Sequence, residues 1–386
     1  METERLAMPM GDIRTYLLEH GGDALCDRPL CDADLLVFAQ LSYCDFAPAA
    51  ADMPFQTAVQ AVLDAPPSEE DTEQRFPFQR KDDEMLLRLT RICVRYQHAR
   101  FLRYAREYDG ENVQFAALAL DVGGQIVVVY RGTDCTLAGW KEDVDLCYRM
   151  PVRAQALALA FLEDIAAQSG LPITVCGHSK GGNLAVYAAL HAGEALWARV
   201  EQVISFDGVG LPAQVLQHFE TNTSYAPLLS RMRVILPEAS VVGVIFPQPG
   251  TIRTVNCRYL GLLQHYPYFF VIEGTDFVQS ERTLFSRAAA IAVDEFLSQL
   301  TFAERERFIT LVYDIVRATK AQTMQDILRG WFKNTVPVAK AALKTLDSDS
   351  AKLYLKVITS FFSALARTAG VLLKNENTDA KGTEHP

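Results

Sequence analysis

The spacing of apolar residues changes period along this chain, and the changes divide it. Over residues 33–46 apolar side chains recur at three- and four-residue intervals, the stripe of a half-buried helix. Pro66-Pro67 and the run Ser68-Glu69-Glu70-Asp71 predict an exposed loop over 65–84. A helix is expected from Glu84 to Tyr108. The period then shortens. Residues 113–120 and 125–131 are expected as strands joined by a hairpin at Asp121-Val122-Gly123-Gly124. Arg153 to Ser169 has helical spacing and stops at Gly170. Further strands are expected at 173–178, 202–206, 232–236 and 254–259. After residue 285 the spacing is helical throughout, and no internal repeat occurs. Strands alternating with helices predict an α/β fold with a mostly parallel central sheet covered on both faces.

One junction in this pattern carries chemistry. The apolar run 173–176 ends at Gly177-His178-Ser179-Lys180-Gly181, and a helix-forming segment, 183–190, follows at once. G-x-S-x-G between a strand and a helix is the nucleophile elbow of α/β-hydrolases. The turn is tight enough to strain the serine backbone and present its hydroxyl, and glycine is required two residues to either side.

Composition narrows the partners. The 386 residues are 49% hydrophobic and 22% charged, with a net charge of −10, so a nucleic-acid partner, which needs a basic footprint, is not expected. The eight cysteines form no C-x-x-C pair and sit in apolar segments, as reduced core thiols do. The N-terminus lacks the apolar core of a signal peptide, and no apolar run reaches membrane-spanning length. A cytoplasmic protein is expected. No metal or organic cofactor is implied.

A serine hydroxyl needs a base, and the base needs an acid to orient it. In this fold the chain order is serine, acid, histidine. Of the histidines after Ser179, His191 ends the elbow helix, His218 lies in a helical stretch and His385 in the tail. That leaves His265, in a loop beyond a late strand. Two carboxylates lie at strand tips between them: Asp207, followed by Gly208-Val209-Gly210, and Glu238, after 234–237. The short acid on a glycine-bounded turn is the first candidate and Glu238 the alternative. For the oxyanion hole, one donor is expected from the backbone N–H of Lys180 and the other from Thr133, in the loop Tyr130-Arg131-Gly132-Thr133.

These segments, with Gly139-Trp140-Lys141-Glu142-Asp143, resemble the class 3 lipase superfamily, and within it a bacterial branch catalogued as a domain of unknown function. The segments 41–46, 206–208 and Gln264-His265 resemble that branch too, and the likeness runs from about 30 to 320. The resemblance implies an acyl-ester hydrolase of α/β-hydrolase fold, with Ser179 as nucleophile, His265 as base, and Thr133 with Lys180 as oxyanion hole. It also implies that Leu137 to Leu146 lies where secreted relatives carry a lid helix, Trp140 matching the lid tryptophan. Two departures stand out. Ser240-Val241-Val242 occupies the place where those relatives have an aspartate, so the acid is not carried over to that position. Lys180 replaces a leucine, and its charge would favour an anionic substrate.

Near the C-terminus, Leu355, Ile358, Phe362, Leu365, Ala369 and Leu372 recur at helical spacing opposite basic residues. This 352–374 helix is expected to pack on the protein or a second subunit, with peripheral contact at the inner membrane surface as the alternative. The expected organisation is an N-terminal helical segment (1–110) packed on the core, an α/β-hydrolase core (111–285), a C-terminal helical region (286–374) and a disordered tail (375–386). The expected activity is hydrolysis of acyl or lipid esters. A non-catalytic scaffold of the same fold, or a thioesterase or peptidase with the same triad, are the alternatives. Oligomeric state, chain length and head group are not legible.

Overall fold

In the computed structural model the described residues are 11–66, 77–109, 113–134, 137–146, 148–259 and 261–318, with positions 337, 341, 344, 347–357, 359 and 363. Eight strands form one sheet in sequential order: β1 (Met53–Pro54), β2 (Arg100–Tyr108), β3 (Gln114–Asp121), β4 (Ile126–Tyr130), β5 (Ile173–His178), β6 (Val200–Phe206), β7 (Met232–Pro237) and β8 (Thr251–Val255). The pairs from β1 to β4 are antiparallel and those from β4 to β8 parallel.

Side chains alternate across the sheet, as a period of two demands. Leu118, Leu120, Val127, Val129, Cys176, Ile204, Phe206 and Ile235 join the core formed with the helices Ile13–His20, Asp32–Leu41, Phe55–Asp64 and Pro77–Ile92. Phe115, Ala117, Ile126, Val128, Tyr130, Val175, Val203 and Met232 join the opposite core, under the helices Arg153–Gln168 and Lys180–His191. Burying each such Val, Leu, Ile or Phe contributes about 1.5–3 kcal/mol, so two full cores fix the middle strands in register.

Three expectations need correction. The helix expected from Glu84 to Tyr108 is instead the helix Pro77–Ile92 followed by β2, so the N-terminal segment also supplies strands to the sheet. Phe101, Tyr104, Ala105 and Tyr108 fit the i, i+3, i+4, i+7 template of a helix, but antiparallel pairing along β3 prevails, with a register shift between Phe101 and Arg103. The loop expected over 65–84 gives way to helix at Pro77; residues 67–76 lie outside the described residues. The last parallel strand covers 251–255 rather than 254–259.

The helices Leu284–Ser298 and Phe302–Ala318 follow the sheet, and a small third core joins Leu300, Leu353 and Val357 to Phe296 and Phe308. Among the described residues of the 352–374 segment, Leu353 and Val357 are buried, while Leu355, part of the expected apolar stripe, is exposed. Ile358, Phe362, Leu365, Ala369, Leu372 and the tail 375–386 lie outside the described residues. Among the described residues no helix is long and apolar enough to cross a membrane.

Candidate active site

The elbow is as tight as its glycines require. Ser179 has φ +58° and ψ −128°, between β5 and the helix that begins at Lys180. A Cβ at Gly177 would stand 2.3 Å from the Gly181 carbonyl oxygen, and one at Gly181 would stand 2.1 Å from that of Tyr130. Neither position has room for a side chain, so the elbow packs backbone to backbone against β4. The helix N-terminus behind Ser179 also carries N–H groups without intrahelical partners, that of Lys180 among them.

The chain brings Ser179, His265 and Asp207 into one hydrogen-bonded line. His265 Nε2 lies 2.9 Å from Ser179 Oγ, and His265 Nδ1 lies 2.7 Å from Asp207 Oδ2. A carboxylate only accepts, so Nδ1 carries the proton, and Nε2 is left to accept from the serine hydroxyl. Asp207 follows β6 and is fully buried at φ +46°, a left-handed conformation that aspartate tolerates better than most residues. Its Oδ1 accepts from Ser240 Oγ at 2.5 Å and from Gly243 N at 3.1 Å. Ser240 stands where the resemblance would put the acid. Here the carboxylate that meets His265 sits one strand earlier, and the serine hydroxyl grips its second oxygen. Glu238 faces elsewhere. Its carboxylate accepts from Ser280 Oγ and, more weakly, from the amides of Asn256 and Gln264.

The loop that carries His265, the 3₁₀ turn Gly261–His265, is held from several sides. His178 Nε2 donates to the His265 carbonyl oxygen at 2.7 Å, and Tyr43 hydroxyl donates to His178 Nδ1 at 2.8 Å. Burial, and next the proximity of His265, push the His178 imidazole well below its ordinary value, so it stays neutral with both nitrogens engaged. The buried Gln264 bonds Tyr259 O and Ala239 N, each at 2.8 Å. Tyr268 hydroxyl donates to Asp83, which also accepts from Gln40. Asn183, in the first turn of the elbow helix, donates to the carbonyls of Val209 and Gly210 and so ties down the loop after Asp207. Tyr43 and Asn183 lie in or beside motifs legible in the sequence, but their partners are remote along the chain and carry no local signal.

On the other flank, the loop after β4 passes directly against the elbow. A Cβ on Gly132 would lie 3.0 Å from Ser179 Cβ and 2.0 Å from Tyr43 hydroxyl. Thr133, next in line, donates its hydroxyl to Asp143 Oδ2 at 2.5 Å. Asp143 Oδ1 is buried without a hydrogen-bond partner, and this burial pushes the carboxyl up to about 6, against the opposing pull of Lys180 and of the Thr133 bond. The Lys180 side chain does not face the site. It is fully buried and gives its three protons to Gln114 O, Gln114 Oε1 and Glu142 Oε2, at 2.6, 2.6 and 3.0 Å. The charge expected to attract an anionic substrate is engaged in an internal ion pair. The Trp140 side chain lies outside the described residues.

A mostly parallel sheet with helices on both faces and a strand–turn–helix serine at its carboxyl edge defines an α/β-hydrolase-like fold. The chain belongs to the Mbeg1-like family, whose sequence model matches residues 91–314. No curated protein matches it. Among solved structures it is similar to lipases. The match to the Lip2 lipase of Yarrowia lipolytica has 12% identity, 64% of this chain, 94% of that one and a TM-score of 0.36. That to the native Rhizomucor miehei lipase propeptide complex has 15% identity, 41% of this chain, 57% of that one and a TM-score of 0.28. That to a deletion mutant of the same complex has 14% identity, 58% of this chain, 66% of that one and a TM-score of 0.34. The chain thus spans less than two thirds of either Rhizomucor miehei chain.

Proposed function

We propose that this protein is a serine hydrolase that cleaves carboxylic acyl esters through an acyl-enzyme intermediate. The observation that carries the reading is the line Ser179 Oγ, His265 Nε2, His265 Nδ1, Asp207 Oδ2, with separations of 2.9 and 2.7 Å at its two ends. Ser179 Oγ attacks the ester carbonyl carbon while its proton passes to His265 Nε2. The carbonyl oxygen becomes an oxyanion, met by the backbone N–H groups of Lys180 and Thr133, each donor contributing about 3 kcal/mol. As the intermediate collapses, the ester C–O bond breaks and His265 returns the proton to the leaving alcohol. Water then repeats the sequence in reverse roles, releasing the acid and restoring Ser179. Asp207 holds the imidazole in the tautomer this needs and stabilises the imidazolium once it forms.

A fluorophosphonate probe tests the reading. Stoichiometric labelling of the full chain is expected, and Ser179→Ala should abolish it together with ester turnover. A wild-type chain that neither labels nor turns over acyl esters would leave a non-catalytic scaffold as the better description.

A further inference from the structure

The helix Leu137–Asp145 stands beside the nucleophile, at the place where the sequence resemblance implies a movable cover. Its fastenings argue otherwise. Glu142, itself buried, accepts at Oε2 from Lys180 Nζ at 3.0 Å and from Gln114 N at 3.3 Å, and at Oε1 from Ala154 N at 2.9 Å. One helical side chain is thereby tied to β3, to the start of the helix Arg153–Gln168, and to the residue directly after Ser179. Asp143 holds the Thr133 hydroxyl, and Gly139 leaves no space beneath it, since a Cβ there would stand 2.9 Å from Thr133 Cγ2. On the outer side Lys141 pairs with Asp145 at 2.9 Å and lies 5.7 Å from the centre of the Tyr313 ring, on the helix Phe302–Ala318. Leu146, directly after the helix, is buried in the core under the sheet.

We propose that this helix is a fixed wall of the site and not a cover, and that the site accordingly takes acyl esters dissolved as single molecules, with no gain in rate at a lipid–water interface. The substrate half of the inference rests on the esterase reading above. Lifting the helix would strip Glu142 from an ammonium with no exposed surface, and removing one partner of a buried pair is the costly event for such pairs. It would also pull on Lys180, whose backbone N–H belongs to the proposed oxyanion hole, so opening the site would dismantle it. Part of the site already faces solvent, although Ser179 itself is only 7% exposed. The His265 side chain is 25% exposed, and Tyr259 and Leu263, on the same loop, present apolar surface to solvent.

Two measurements on the full chain test this. Tributyrin hydrolysis is followed through the solubility limit of the ester, and hydrogen exchange at Glu142 to Leu146 is compared in buffer and in Triton X-100 micelles. A hyperbolic rate curve without a break at saturation and exchange rates equal within about twofold are expected. An upward break of about threefold or more at the solubility limit, or exchange accelerated about tenfold by micelles, overturns the fixed wall. Unaltered exchange with no turnover at any concentration keeps the wall and defeats the esterase reading instead.

Discussion

The two flanks of Ser179 are held by different chemistry. On the oxyanion side, Lys180 and Glu142 form a buried ion pair with the Asp143 carboxyl bonded to Thr133 beside it, and the helix Leu137–Asp145 is pinned through them. On the acid–base side, Asp207 and Glu238 meet, among the described residues, neutral donors: hydroxyls, amides, a backbone N–H group and the imidazole of His265. The difference matches what the proposed reaction asks of each flank. No proton moves on the oxyanion side, so charges can be paired permanently and used as fasteners. On the other side the proposed reaction has a cation appear at His265 and vanish again in each turnover. An Asp207 already neutralised by a fixed lysine or arginine would have little field left for that imidazolium. Neutral donors hold its position and leave its charge available.

The largest effect expected from breaking this contrast is at Asp207. Asp207→Asn keeps the shape of the site but offers an amide where His265 Nδ1–H needs an acceptor, and the imidazole is then free to take the wrong tautomer. A fall in kcat of about 10³–10⁴-fold with little change in KM is expected. Glu238→Gln, which alters the alternative acid, should hold kcat within about threefold. Steady-state kinetics on one soluble ester decide between the two, and a larger loss in the Glu238 variant would reverse the assignment.

Asp143 gives the next largest effect, and it reads the charged flank. Its carboxyl sits at about 6 in the folded protein against a reference of 3.8. The folded state therefore binds a proton between these values that the unfolded chain has already released. That contribution to stability is fully present below about pH 4 and is lost as pH rises through 6, amounting to about 2–3 kcal/mol. Asp143→Asn retains an acceptor for Thr133 without the buried charge. Urea unfolding should find the variant more stable than wild type at pH 8, with the gain shrinking to about a third by pH 4.5. A gain of equal size at both values would mean that the buried charge is not its source.

What the sequence disclosed about this site divides along the same line. The elbow was legible because its constraint is local: Gly177 and Gly181 are two residues from Ser179, and the backbone they must clear is adjacent. His265 and Asp207 could be placed as candidates because chain order and strand tips are topological facts that alternation of strands and helices already implies. Side-chain direction was not legible. Lys180 reads as a charge beside the substrate until the fold buries it against Glu142, thirty-eight positions earlier in the chain. Likewise Tyr43 meets His178 across 135 positions, with no periodicity to announce it. The strand β2 was hidden for a related reason: its apolar spacing satisfies a helix, and only its partner β3 decides the matter.

The smallest effect is expected at Ser240, and it tests whether neutral donors on the acid–base flank share their task. Ser240 Oγ and Gly243 N both reach Asp207 Oδ1, and Ser240 Oγ also accepts from Gly243 N at 3.0 Å. Ser240→Ala removes one donor and leaves the other, in a site too small to admit a bulky replacement. Hydrogen bonds to a charged acceptor contribute about 1.5–3 kcal/mol when deleted outright, and partial compensation by Gly243 should reduce this to about 1 kcal/mol. The expected result is a drop in kcat of about fivefold, an unchanged KM, and an unchanged rate of fluorophosphonate labelling relative to kcat. A loss approaching that of Asp207→Asn would mean that the hydroxyl alone fixes the carboxylate, and that the acid–base flank depends on a single contact rather than on a set.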